Sequence, residues 1–160
     1  MLLDNRALGY ELAGEHAAAA QQFERSLASA RQAGNHALVV SARVGQASIA
    51  CQQAHGGQAR VLLVQAAQAM GDKVPAGNPA GLRRLLVLGQ AELDAGRVRT
   101  ADAAATQLLA LLDERQLVDM TRVAALCLHG EAPWEGSLAC PDRTRACVEQ
   151  ACIRFDPCRS

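Results

Sequence analysis

Apolar positions recur along the chain in a four-three-four spacing, which places their side chains on one face of a helix. Three segments carry this spacing and begin 40 and then 42 residues apart: Ala19–Phe23–Ser26–Ala30, Ala59–Leu63–Ala66–Met70 and Ala101–Ala105–Leu108–Leu112. A second series puts a small residue one turn before a larger one, 38 and then 44 residues apart: Ala7–Tyr10, Gly45–Ser48 and Gly89–Glu92. Two series of nearly equal period predict a repeated pair of helices, stabilised by stacking against its neighbours.

Glycines separate the predicted helices. Gly14, the Gly56-Gly57 pair and Gly96 stand between partner helices, where a left-handed residue can end one helix and let the chain reverse. Pro79 suits the first turn of the helix that follows it. The predicted helices span 2–13, 15–33, 36–55, 58–71, 80–95, 98–114 and 117–129, with an eighth at 142–154.

The composition agrees with an all-α chain. Half of the residues are apolar, yet the chain has only two Phe, one Trp and one Tyr. Aromatic and β-branched side chains favour pleated sheets, whereas Ala and Leu favour helices. A β-sandwich or β-barrel is therefore disfavoured.

The charge and the apolar runs bear on partners and location. Sixteen basic and sixteen acidic residues cancel, so no overall field attracts nucleic acid or an anionic membrane. The N-terminal segment lacks the pattern of a signal peptide, and no apolar run approaches the roughly 20 residues of a membrane-spanning helix. We expect a cytoplasmic protein that binds neither nucleic acid nor membrane.

The sequence offers little chemistry. The last four cysteines lack C-x-x-C spacing, and the four histidines stand alone, so we predict no metal site, no cofactor and no obligatory disulfide. Cys127 and His129 are two residues apart on a predicted helix and cannot face each other. The helical serines lack a nucleophile elbow, and no phosphate-binding glycine motif is present. We therefore predict that the protein is not an enzyme.

The segment Leu88–Gly96, followed by Ala101, resembles a tetratricopeptide repeat, in which a small residue, a long side chain, a glycine and an alanine occur at these separations. The first repeat matches at Ala7, Tyr10, Gly14, Ala19 and Phe23. In the second repeat Gly45 fits, but Gln52 stands in place of the glycine between the helices, and two residues are inserted before Ala59. The period exceeds the family's usual length of about 34 residues. It is similar to the longer repeats of large bacterial signalling regulators.

This resemblance implies an all-α fold, a right-handed α–α superhelix of three to four helical hairpins. The repeats would span 1–35, 36–78 and 79–116, with a fourth beginning at 117–130. Residues 131–160 would be either a degenerate capping repeat or a Cys-rich irregular tail.

The resemblance also implies a concave groove lined by the first helix of each repeat. The implied lining residues are Asp4, Asn5, Leu8 and Glu11, then Val39, Arg43, Gln46 and Ile49, then Arg83, Leu86, Gln90 and Leu93. Among them, the residues expected to bind a peptide are Asn5, Arg43, Gln46, Arg83 and Gln90. Arg43 and Arg83 would bind the carboxylates of an extended acidic peptide or of an acidic C-terminus, because Arg binds carboxylate in a bidentate manner.

Two functions compete at this point. The first is a scaffold that binds a protein segment in its groove. The alternative is a sensory or regulatory repeat fragment of a larger ATP-dependent transcriptional regulator, Ser/Thr kinase or cyclase.

Overall fold

The computed structural model describes residues 2–75, 77–115, 122, 124–126 and 128, and no strand occurs among them. Six helices follow one another: α1 (Leu2–Leu12), α2 (His16–Gln32), α3 (His36–Gln52), α4 (Gly56–Met70), α5 (Pro79–Asp94) and α6 (Val98–Glu114). The all-α prediction is confirmed for these residues, and every helix end lies within three residues of its predicted position. Of the predicted helix 117–129, only the residues named above are described, and they are helical. The predicted helix at 142–154 and the segment 131–160 lie outside the described residues.

The turns within hairpins share one backbone geometry. Gly14 and Gly96 have φ values of 75° and 70°, as predicted for left-handed residues that end α1 and α5. In each turn the next residue donates its N–H to a carbonyl five residues earlier, from Glu15 to Tyr10 at 2.9 Å and from Arg97 to Glu92 at 2.8 Å. This bond satisfies a carbonyl that the helix end leaves free.

The turn between α3 and α4 corrects the prediction for Gly56 and Gly57. The left-handed residue there is Ala54, with a φ of 59°, and His55 N donates to Ala50 O at 2.8 Å. Gly56 and Gly57 instead form the first turn of α4. Ala54 has a Cβ, which makes a left-handed backbone unfavourable by roughly 1–2 kcal/mol. The second hairpin therefore uses the same turn as the others, but with an unfavourable residue.

This turn also corrects the register of α3. In each hairpin a buried small residue lies seven positions before the left-handed residue of the turn. These small residues are Ala7 in α1, Ala47 in α3 and Gly89 in α5. These three are 40 and 42 residues apart, the same spacings as the series in the second helices. The pairing of Gly45 with Gly89 was wrong by two residues.

Gly45 and Gly89 nevertheless both lie at close contacts. A Cβ on Gly45 would overlap the ring of Phe23, which is fully buried in α2. A Cβ on Gly89 would lie 3.0 Å from Leu128 Cδ1. Glycine at these positions lets one hairpin approach its neighbour closely.

The predicted apolar stripes form the core. All residues of the first and third stripes are buried, and so are Ala59, Leu63 and Ala66 of the second. The two large residues Leu63 and Leu108 are only 2% and 0% exposed. One apolar cluster joins α1, α2 and α3, a second joins α3, α4 and α5, and a third joins α5, α6 and Ala125. Consecutive clusters share a helix, so the core follows the hairpins as three neighbouring clusters.

The first helices of the three hairpins, α1, α3 and α5, form one surface that we call the first-helix face. Each hairpin packs its two helices together, and the first helices α1, α3 and α5 contact one another in succession. Each of α2 and α4 also packs against the first helix of the next hairpin. No pair among α2, α4 and α6 is in contact in the described part of the chain. Side chains from all three first helices therefore meet on a shared surface.

Candidate functional site

A buried carboxylate joins the three first helices. Glu11 of α1 is 8% exposed. Its Oε1 accepts a hydrogen bond from Ser48 Oγ of α3 at 2.6 Å, and its Oε2 accepts one from Arg83 Nη2 of α5 at 2.6 Å. Both oxygens are therefore held by the next two hairpins. Arg83 is one of the residues expected to bind a peptide, but its guanidinium already binds a carboxylate of the chain itself.

A cavity of about 490 Å³ opens beside this cluster, between α3, α5 and the helical residues that follow α6. Its lining combines apolar side chains with amides, a hydroxyl, a thiol and a carboxylate: Ser48, Cys51, Gln52, Leu86, Val87, Gln90, Asp94, Ala124 and Leu128. Its volume lies within the range of roughly 300–1,000 Å³ that is usual for ligand pockets. The predicted site residues Leu86 and Gln90 line this cavity.

Asp94 interacts with two other polar groups of the cavity, the amide of Gln90 and the thiol of Cys51. Gln90 Nε2 donates a hydrogen bond to Asp94 Oδ1 at 2.8 Å, one turn along α5. The partial burial of Cys51 and the negative charge of Asp94 raise the pKa of the Cys51 thiol to about 11. Since the thiolate is the reactive form, Cys51 is a poor nucleophile at neutral pH. This thiol contributes an apolar surface to the cavity.

Arg43 and Gln46 lie on a different face of α3. Arg43 is five residues and Gln46 two residues before Ser48, so they are rotated from it by about 140° and 160° around the helix axis. Arg43 Nη1 donates to Gln46 Oε1 at 3.1 Å. Partial burial and the nearby charge of Arg31 on α2 lower the pKa of Arg43. Arg43 lies eleven residues and Arg83 thirteen residues before the left-handed residue of its hairpin, so the two arginines occupy different repeat positions.

The remaining predicted lining residues are spread over several environments. Asn5 is exposed on α1 and does not line the cavity. Ile49 is 5% exposed and belongs, with Val39 and Leu8, to the apolar cluster of α1, α2 and α3. Leu93 is half-buried, and the side chain of Asp4 lies outside the described residues.

The corrected register explains which cavity residues the sequence prediction missed. Ser48 and Gln90 both lie six residues before the left-handed residue of their hairpin, and Gln52 and Asp94 both lie two residues before it. The lining thus uses the same repeat positions in successive hairpins. Pairing Ala47 with Gly89 would have given Ser48 and Cys51, which line the cavity, as the equivalents of the predicted residues Gln90 and Leu93.

A second buried carboxylate fixes the third hairpin. Glu92 of α5 is 2% exposed, and Arg97 Nε and Nη2 donate to it at 2.5 and 3.2 Å. Arg60 Nε of α4 lies 3.2 Å from Glu92 Oε1. The hydrogen bond from Arg97 lowers the pKa of Glu92, which outweighs the opposing effect of burial. This cluster connects α4, α5 and the start of α6 and has a structural role.

Two further observations concern the part of the chain that the structure describes. No group of three or more His, Cys, Asp or Glu side chains is arranged there to hold a metal ion. None of its helices is long and apolar enough to cross a membrane. Comparisons with protein-family models, curated proteins and solved structures give no match to this chain.

Proposed function

We propose that this chain is a non-catalytic scaffold of the cytoplasm that binds a segment of another protein along its first-helix face. In this proposal the hairpins continue one another as a right-handed superhelix of the tetratricopeptide type. The repeated turn geometry and the succession of contacts from α1 to α3 to α5 support that arrangement.

The observation that carries the proposal is the cavity between α3 and α5. It mixes aliphatic walls with the amides of Gln52 and Gln90, both of which are exposed. Side-chain amides can donate to and accept from a peptide backbone, while the aliphatic walls take an apolar side chain. The combination suits an extended protein segment better than a small charged molecule.

Leu12 extends the same surface into the first hairpin. It is 88% exposed and lies two residues before Gly14, the repeat position that Gln52 and Asp94 occupy in the next two hairpins. A leucine with this exposure gains free energy when a partner covers it, about 25 cal/mol per Å² of apolar surface removed from water. Leu12 and the cavity would contact successive parts of one bound segment.

The Glu11 cluster supports the proposal by fixing the surface in advance. Arg83 and Ser48 hold the carboxylate from two other hairpins, so the first helices keep their spacing without a ligand. A preformed surface loses less conformational entropy on binding than a flexible one.

Site-specific photocrosslinking tests the proposal. A photoreactive amino acid replaces Gln52 in one variant and Gln65 in another, and both are expressed in cells that make the protein. Gln65 is an exposed glutamine on α4, away from the first helices, and serves as the matched control. We expect a discrete crosslinked protein from position 52 and none from position 65. Equal crosslinking at both positions, or none at position 52, would contradict the proposal.

A further inference from the structure

Building on the proposed function, the chemistry of the cavity points to the kind of segment that fits it. Its deepest described walls are aliphatic, since Val87 and Leu128 are 8% and 4% exposed. Leu86 and the protonated thiol of Cys51 complete this apolar part. An aliphatic side chain of the segment would remove these groups from water.

The rim of the cavity is negative. Asp94 is the one charged side chain among the described residues that line it, and it is exposed. Gln90 holds one carboxylate oxygen of Asp94 through a hydrogen bond at 2.8 Å. Within the described part of the chain, no arginine forms an ion pair with Asp94.

Three arginines, on α4, on α5 and at the start of α6, are paired with other carboxylates. Arg83 binds Glu11, and Arg97 and Arg60 bind Glu92. The acidic peptide expected from Arg43 and Arg83 therefore lacks its binding groups, because one arginine is paired and the other lies on a different face. An acidic segment would also meet the charge of Asp94.

We infer that the cavity binds a protein segment in which an aliphatic side chain is adjacent to a lysine or arginine. The aliphatic side chain packs against Leu86, Val87 and Leu128, and the cation binds the carboxylate of Asp94. The amides of Gln52 and Gln90 hydrogen-bond to the backbone of the segment. This inference rests on the proposed function and specifies its partner.

A peptide series tests the inference with the full chain. Four pools of fluorescein-labelled ten-residue peptides carry a central Leu followed by Lys, Arg, Gln or Glu, and the other positions are random. Fluorescence anisotropy measures the affinity of each pool at low and at moderate salt. We expect the Lys and Arg pools to bind about tenfold more tightly than the Glu pool, because one exposed ion pair is gained and one repulsion is lost. Moderate salt should reduce this ratio, since the charges are exposed.

Two charge variants separate the role of Asp94 from net charge. Asp94→Asn should reduce the preference for Lys over Glu to about twofold or less, since the carboxylate is then absent. Asp72→Asn makes the same change in net charge in the exposed turn after α4 and should leave the preference intact. Equal affinity for the Lys and Glu pools, or an Asp94→Asn variant with the wild-type preference, would overturn the inference.

A third variant distinguishes this inference from the proposed function. Gln52→Trp fills the mouth of the cavity and should abolish binding of every pool. If the Glu pool binds most tightly and Gln52→Trp abolishes that binding, the inference is wrong and the proposed function stands. If no pool binds in a way that depends on Gln52, both are contradicted.

Discussion

Arg83 of α5 and Glu11 of α1 are 72 residues apart in the sequence, yet Arg83 Nη2 lies 2.6 Å from Glu11 Oε2. The pair spans three hairpins, and Ser48 of the middle hairpin binds the other oxygen of the carboxylate. Arg83 therefore links the first hairpin to the third.

The first prediction compares Arg83 with Arg43. Arg83→Ala leaves the carboxylate of Glu11 buried without its cation, and we expect a loss of roughly 2–3 kcal/mol in the free energy of unfolding. Arg43→Ala removes only a hydrogen bond to Gln46 on the same helix and should cost less than about 1 kcal/mol. Urea denaturation followed by far-UV circular dichroism measures both.

Glu11→Gln in the Arg83→Ala background provides the control for this first prediction. Removing the buried charge should recover part of the lost stability, since a neutral amide is easier to bury. Equal losses for Arg83→Ala and Arg43→Ala would show that the pair between α1 and α5 contributes nothing.

How far the sequence predicts the structure depends on one turn. The helices could be predicted because Gly14 and Gly96 end α1 and α5 and because the four-three-four stripes recur. Ala54 could not be recognised as a left-handed residue from the sequence, because alanine has a Cβ and rarely adopts a positive φ. The turn was therefore predicted at Gly56 and Gly57, two to three residues after its actual position.

The misplaced turn also shifted the predicted alignment of α3 with α5 by two residues, which affected the predicted site. Pairing Gly45 with Gly89 makes Gln46 the equivalent of Gln90, although the equivalent is Ser48. A shift of two residues separates side chains by about 160° around a helix, so the prediction named Gln46 in place of Ser48, which lines the cavity. Leu86 and Gln90 needed no such alignment, and both line the cavity. Pairing across hairpins, as between Glu11 and Arg83, depends on tertiary distances that no spacing in the sequence contains.

The second prediction concerns the turn itself. Ala54→Gly should raise the free energy of unfolding by about 1 kcal/mol, because glycine adopts a positive φ without steric penalty. Gly96→Ala makes the reverse change in the equivalent turn and should lower it by a similar amount. A Cβ on Gly96 meets no atom within 4 Å, so backbone strain alone determines the result. A loss of stability in Ala54→Gly would contradict the shared geometry of the two turns.

The third prediction concerns close packing of α3 against α2. Gly45→Ala places a Cβ against the ring of Phe23 and should destabilise the protein by roughly 2 kcal/mol, in spite of alanine's higher helix propensity. Gly9→Ala provides the matched control, because Gly9 is an exposed residue inside α1 whose Cβ would meet nothing within 4 Å. It should gain about 0.5–1 kcal/mol.

A double variant identifies the cause of the effect at Gly45. In the Phe23→Leu background the ring is absent, so Gly45→Ala should cost clearly less than in the wild-type background. The same cost in both backgrounds would mean that Phe23 is not the obstacle. Thermal or urea unfolding of the four proteins in this cycle gives the comparison.

The fourth prediction is a pH dependence that originates at Glu92. Because its pKa is lowered in the folded state, the unfolded chain binds the proton more readily. The resulting stabilisation is fully present above the unfolded pKa of about 4.3 and is lost as the pH falls below it, through the folded pKa. Glu92→Gln removes this contribution, so the difference in stability from the wild type should shrink as the solution is acidified from about pH 6 to pH 3.

Glu24→Gln serves as the control for the pH experiment, because Glu24 is an exposed carboxylate on α2. Its difference from the wild type should stay small across the same range. A difference for Glu92→Gln that does not change with pH would show that the ion pairs with Arg97 and Arg60 do not stabilise the fold.

The most direct test of the binding surface is a titration of the protein segment captured by crosslinking at position 52 against three purified proteins. These are the wild type, Gln52→Trp and Gln65→Trp, and circular dichroism first establishes that all three are folded. The large side chain should fill the cavity only in Gln52→Trp, because Gln52 lines it and Gln65 lies on α4. We predict that Gln52→Trp weakens binding at least about tenfold, or about 1.4 kcal/mol, while Gln65→Trp binds like the wild type. Equal affinity of all three proteins would contradict binding at the first-helix face.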